Sequence, residues 1–181
     1  MVYLIGVVHR IQYTSDGSAL DEIRRFADFL ESKALETKIT LIGEELNEEV
    51  LRERKATACT ALDIAARLKI EHRFCDPTMS ERESMGIPSE RQIHMRALLD
   101  NKGSGKNLRE AVRKEREKYF GLRESFWLRR IEDKLGEPIF FVCGADHIAG
   151  FRALLMSKGC GTDVLVRDWE EEMKSSASSC S

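Results

Sequence analysis

The 181 residues predict an α/β fold: a single domain with a mainly parallel sheet of about five strands flanked by helices, plus a helical insertion between the third and fourth strands. Three observations carry that expectation. Short runs rich in β-branched and aromatic residues recur along the chain, stretches with helical apolar spacing separate the first of them, and the strand–helix–strand order is the pattern of parallel pairing through right-handed crossovers. A chain of this length reads as one domain, bounded at 1–174.

Taken in order, the first strand is Val2 to Val8, near-continuous in apolar residues as a strand covered on both faces requires. A first helix places Leu20, Ile23, Phe26, Ala27 and Leu30 on one side, opposite Asp21, Arg24, Arg25 and Glu31. Lys38 to Ile42 reads as the second strand. Asn47 is a cap for one long helix through Val50 to Leu68, whose stripe is Ala58, Leu62, Ile64, Ala65 and Leu68. Ile70 to Cys75 follows as the third strand. The segment 78–136 then changes rhythm, and the Gly86/Pro88 and Asn101 to Gly105 breaks divide off helices near Glu90 to Leu99, Leu108 to Tyr119 and Arg123 to Leu135. Pro138 to Cys143 is the fourth strand, Ile148 to Met156 a helix with Asp146 as its cap, and Thr162 to Val166 the fifth strand. Residues 175–181 (SSASSCS) have no apolar pattern and read as a disordered tail.

Composition excludes several classes. With 29 basic against 31 acidic residues the net charge is −2, which argues against a nucleic-acid partner. From Lys102 to Arg130 basic residues outnumber acidic ones ten to four, and this reads first as a solvated helix face, with attraction of an anionic substrate or nucleic acid as the alternative. No apolar run nears the ~18 residues needed to cross a bilayer. The chain opens directly on its first strand, so the expectation is a cytoplasmic protein without a membrane partner. Five cysteines at irregular spacing, with no C-x-x-C pair, indicate neither a disulfide framework nor a zinc ribbon.

The chemistry gathers where strands end. The first strand runs into His9, the second into Gly43, Glu44 and Glu45, the third into Asp76, and the fourth into Gly144, Asp146 and His147. In an open parallel sheet the ligand crevice lies outside the carboxyl ends of the strands, so these groups are expected on one edge of the fold. Two histidines with several carboxylates are a ligand set for a divalent metal, or an acid–base set for hydrolysis. Glu44 and Glu45 are adjacent, so in extended backbone they point to opposite faces and only one enters the crevice directly. Asp76, held extended by Pro77, is either a ligand or turn chemistry. Arg82 either pins an anionic group of a substrate or pairs with nearby acids.

Two strand exits share a pattern, GVVH at Gly6 to His9 and GADH at Gly144 to His147, with GEE at Gly43 to Glu45 between them. Together with the block RESFWLRRIEDKLGEPIFFVCGADHIAGF, Arg123 to Phe151, they resemble the Tiki/TraB family, within the wider group that includes erythromycin esterase and ChaN. The likeness covers both ends of the chain and little of the middle, and DPTMSERES (Asp76 to Ser84) has no counterpart. It implies an α/β domain with a site built by the two histidines and the glutamates, and it puts Arg123 in the place of that block's leading arginine. Chemistry differs across the group: Tiki members are regarded as metal-dependent peptidases, erythromycin esterase opens a lactone, and ChaN binds haem iron.

The expected function is therefore a metal-dependent hydrolase of peptidase or esterase type. His9, Glu44 and His147, with Asp76 nearby, would hold a divalent ion such as Mn, Co or Zn, with Glu45 or a metal-bound hydroxide as base and Arg123 on the oxyanion. A metal-free variant uses a histidine to activate water. The alternative is a non-catalytic binder of iron, haem or a small anion. A thiol enzyme is disfavoured, because Cys75 and Cys143 lie in apolar strands. The substrate, small molecule or peptide, and the oligomeric state stay open.

Overall fold

The computed structural model describes residues 1–14, 20–56, 58–100 and 107–178. In chain order its elements are β1 (Val2–Val7), β2 (Tyr13–Thr14), α1 (Leu20–Thr37), β3 (Leu41–Glu44), α2 (Glu48–Glu53), β4 (Ala58–Cys59), α3 (Thr60–Leu68) and β5 (Glu71–Phe74). Four helices follow, α4 (Met79–Ser84), α5 (Glu90–Asp100), α6 (Leu108–Glu117) and α7 (Phe120–Ile131), then β6 (Ile139–Gly144), α8 (Ile148–Ser157), β7 (Thr162–Val166) and α9 (Trp169–Ser178). The main sheet has five strands in the order β5-β3-β6-β1-β7, every neighbouring pair parallel.

Alternation along the strands divides the core in two. Ile5, Val7, Ile42, Phe140 and Val142 point to one face and meet Phe26 and Leu30 of α1 and Ile64 and Ala65 of α3. Val2, Leu4, Leu41, Ile139 and Phe141 point to the other and meet Trp127 and Leu128 of α7 and Phe151 and Leu155 of α8. The connections out of β1 and β3 run toward the β5 edge, and those out of β5 and β6 run back toward β7, so right-handed crossovers place their helices on opposite faces. β3 and β6 are neighbours whose outgoing connections diverge. Such a switch point opens a crevice at the strand ends.

Gly6 marks a close crossing there. A Cβ on it would stand 2.0 Å from the backbone oxygen of Arg167, so no other residue fits where β1 leaves the sheet.

Three expectations are corrected. The stretch from Asn47 to Leu68 is two helices: Asn47 does cap the first, accepting the Val50 N–H at 3.0 Å, but Lys55 takes a left-handed conformation (φ 52°) and Ala58–Cys59 pairs antiparallel with Tyr13–Thr14. Asp146 caps nothing. It is exposed in a 3-10 turn, Ala145–His147, that precedes α8 with no side-chain cap. The tail reading placed disorder from Ser175, yet α9 continues to Ser178, anchored by Trp169 against Phe26 and Phe29 at 5.3 and 5.1 Å between ring centroids; residues 179–181 lie outside the described residues. The expected break at Asn101 to Gly105 also lies outside them. A short helix not read from sequence, α4, carries a reciprocal capping box between Thr78 and Glu81.

Candidate functional site

The switch point is lined by side chains from the ends of β1, β3 and β6 and from α7. Glu45, the residue after β3, is buried, and its Oε2 accepts the Gly144 N–H at 2.7 Å. A Cβ at Gly144 would lie 3.2 Å from that oxygen and 3.5 Å from His9 Nε2, so the glycine of GADH lets the two strand ends close on the carboxylate. The other oxygen, Oε1, faces Arg123 Nη2 at 2.5 Å, His147 Nε2 at 3.5 Å and His9 Nε2 at 3.7 Å.

Each imidazole is oriented through its second nitrogen. His147 Nδ1–H donates to Glu124 at 2.9 Å, and its ring is held between Phe120 and Trp127 at 3.8 and 4.7 Å. Glu124 reaches it because α7 and α8 approach closely at Gly150, where a Cβ would come within 2.8 Å of the carboxylate. His9 Nδ1–H donates to Gln12 Oε1 at 2.7 Å, one turn later in the same 3-10 segment. Each ring is thereby fixed with Nε2 turned to the crevice, that of His147 lying 3.4 Å from Arg123 Nη1. His9 is the open wall, its side chain 53% exposed, whereas His147 is buried.

Arg123 is buried and fully engaged on one side. Its Nε and Nη2 donate to Asp76 Oδ1 at 3.0 and 2.6 Å, Nη2 also meets Glu45, and Nη1 lies 3.4 Å from His147 Nε2. Asp76 in turn accepts from Trp127 Nε1 at 3.2 Å and from Arg82 Nη2 at 2.5 Å. Burial alone pushes the Glu45 carboxyl up, but the Arg123 guanidinium above all, with the neighbouring imidazoles and the Gly144 N–H, outweighs it and holds the group well below the usual carboxylate range. Arg123 moves up for the same pairing, against its own burial.

The expected ligand set of His9, Glu44, Asp76 and His147 is not gathered at one point. Because side chains alternate, Glu44 turns to the α1/α3 face, where it meets Cys59 at 2.8 Å, His72 at 2.7 Å and Gln12 at 3.3 Å, and Glu45 takes the place beside the histidines. Asp76 stands behind Arg123, not beside the imidazoles, and Arg82 is paired with it. A divalent cation between His9, Glu45 and His147 would stand against the buried Arg123 guanidinium, where repulsion is poorly screened. This donor set does not fit such an ion; the arginine already neutralises the carboxylate.

The sequence reading did not single out Gln12, His72, Glu124 or the pairing role of Cys59. His72 alternates with Ile70 and Phe74 along its strand, a polar residue on an apolar face, and that was the available signal. Burial pushes the Cys75 thiol up to about 12, and burial with Glu45 and Glu124 holds Cys143 well above its usual range, so neither is a ready thiolate. A cleft of about 800 Å³ between α5 and α6 reaches Asp146, next to His147. Within the basic stretch, Arg113, Lys114 and Arg116 pair with Glu117, Glu110 and Glu90 as a solvated face does. No helix among the described residues is long and apolar enough to cross a membrane.

No protein-family model, curated protein or solved structure matches this chain.

Proposed function

We propose that this chain is a hydrolase that activates water by acid–base chemistry at His147, with His9 as the second proton carrier. One observation carries the reading: two Nε2 atoms face the same Glu45 oxygen at 3.5 and 3.7 Å, each with its ring fixed through Nδ1. The likeness of GVVH, GEE and GADH to the Tiki/TraB group supports it.

In this scheme His147 Nε2 takes a proton from water, and the hydroxide adds to the electrophilic carbon of an ester, lactone or amide. Glu124 balances the positive charge that forms on the ring. Arg123 Nη1, aimed at the same point, stabilises the oxyanion, while its other nitrogens stay on Asp76 and Glu45. His9, open to solvent, relays a proton from solvent through Nε2 to the leaving group, and His147 returns the proton it took to solvent, so the cycle consumes only water. Glu45 is a positioning residue here: a carboxylate held far below its usual range is a poor base, but its charge keeps both histidines and the arginine converged.

The test is a panel of chromogenic acyl esters, a lactone and a dipeptide, assayed with and without EDTA. Turnover should survive the chelator, His147→Ala should lower it by about 10²- to 10⁴-fold, and Glu124→Gln should lower it less. Full activity in a folded His9/His147 double alanine variant overturns the reading. A panel compound that raises the melting temperature and is never turned over favours the binder instead.

A further inference from the structure

On the sheet face away from His147 lies a second cluster that the hydrolytic scheme does not use. Glu44 is fully buried. Its Oε1 accepts the Cys59 S–H at 2.8 Å and the His72 Nε2–H at 2.7 Å, and its Oε2 accepts from Gln12. Among the described residues no lysine or arginine pairs with it; besides the Cys59 and Gln12 hydrogen bonds its one ion-pair contact is His72, which balances the charge only when its ring is protonated. A buried carboxylate in that state is costly unless a compensating charge arrives.

The three side chains offer one sulfur, one nitrogen and one oxygen within 4.8 Å of one another, from three separate strands, β3, β4 and β5. A thiolate, an imidazole and a carboxylate are the ligand types of a borderline-soft divalent ion. Charge favours that ion as well. With zinc bound, Cys59 loses its proton to solvent, the neutral His72 ring gives up its Nε2 proton and takes one from solvent on Nδ1 so that Nε2 can bind, and two anions meet a dication, so the niche becomes neutral.

We propose that Glu44, Cys59 and His72 form a zinc site, separate from the His9/His147 crevice, with one coordination position left for water. Bond lengths near 2.0 Å to oxygen and nitrogen and near 2.3 Å to sulfur put tetrahedral neighbours about 3.3–3.6 Å apart. The present 2.7–2.8 Å separations must therefore open by roughly 0.6–0.8 Å, a side-chain adjustment. Oε2 stays with Gln12, so an ion held through Oε1 leaves the contact between Gln12 and His9 Nδ1 as it is.

The experiment is titration of chelator-stripped, full-length protein with Co²⁺ and then Zn²⁺. One equivalent of cobalt should give a thiolate charge-transfer band in the near ultraviolet with strong visible bands of a four-coordinate ion, and zinc should displace it. Removing an orienting partner alone costs metal sites about 10- to 100-fold, so Cys59→Ser and His72→Gln should weaken zinc by at least ~100-fold, with the charge-transfer band lost in Cys59→Ser. His147→Ala should bind as the parent does. His72→Gln, on an edge strand, serves if Cys59→Ser does not fold. No charge-transfer band in the parent, a band that survives Cys59→Ser, or zinc affinity lost in His147→Ala but kept in His72→Gln overturns the proposal. None of these outcomes bears on turnover in the presence of EDTA, so the two readings fail separately.

Discussion

Replacing Arg123 with Met removes the guanidinium that neutralises Glu45 and shares Asp76 with Arg82, while keeping most of the side-chain volume. Glu45 is left buried with no cation but the histidines. Breaking a buried pair in this way costs about 3–5 kcal/mol. At roughly 2–4 °C per kcal/mol for a domain of this size, the melting temperature should fall by about 6–20 °C at pH 7. The pH dependence is the stricter check. In the parent, the Glu45 carboxyl lies well below its ordinary value of 4.5, so its contribution is complete above that pH and is lost as pH falls through the lower, folded value. In the variant, burial is opposed only by the neighbouring imidazoles and the Gly144 N–H, so the Glu45 carboxyl moves up from its parental position and takes up its proton at a higher pH than in the parent. The deficit should therefore narrow as pH falls from 7 toward 4 in thermal melts followed by circular dichroism. Adding Glu45→Gln to the variant should recover part of the loss at pH 7. A fall under about 3 °C, or a deficit that stays constant with pH, would refute the electrostatic account of this site.

Two further expectations concern the frame of the site. Gly6→Ala drives a Cβ into the Arg167 backbone oxygen and should cost about 3 kcal/mol or more, read as a large drop in melting temperature; parental stability would mean that β1 does not cross residue 167 as described. Cys143→Ala should leave turnover on the ester panel within about twofold, because the thiol is buried and held protonated; abolished turnover in a folded variant would bring the thiol mechanism back.

The fold was largely legible because the strands carry it. Thr162 to Val166 matches β7 at both ends, the apolar run at Val2 differs from β1 by one residue at its end, and that at Pro138 differs from β6 by one residue at each end. What failed was non-local. The apolar spacing from Val50 to Leu68 continues through the break, and only the pairing of Ala58–Cys59 with Tyr13–Thr14, some 45 residues earlier, stops the helix. The same pairing brings Gln12 and Cys59 to Glu44, so the missed helix break and the missed cluster share one cause. At the crevice, strand-end logic brought out His9, His147 and the glutamate pair, and alternation showed that the two glutamates part; it could not tell which carboxylate goes where, since that depends on the register of β3 against β6. Glu124 was hidden on a charged helix, one residue after the arginine that drew attention.

The pairing of Glu44 and Glu45 at the end of a central strand has a mechanical consequence. A hydrogen-bonded and ionic chain runs from His72 through Glu44, Gln12 and His9 to Glu45 and Arg123, then to Asp76 and Arg82, passing across the end of the sheet. Gln12 is the link that crosses, and an amide suits it because it accepts from one side and donates to the other, transmitting orientation without charge. Glu124, by contrast, brings a full negative charge to His147. The two imidazoles are thus equivalent in geometry but not in electrostatics: a proton taken by His147 is balanced at once by its buried partner, whereas one held by His9 is balanced only by Glu45 and by solvent. In the proposed hydrolytic scheme, that asymmetry puts the buried ring on water activation and the exposed ring on the leaving group.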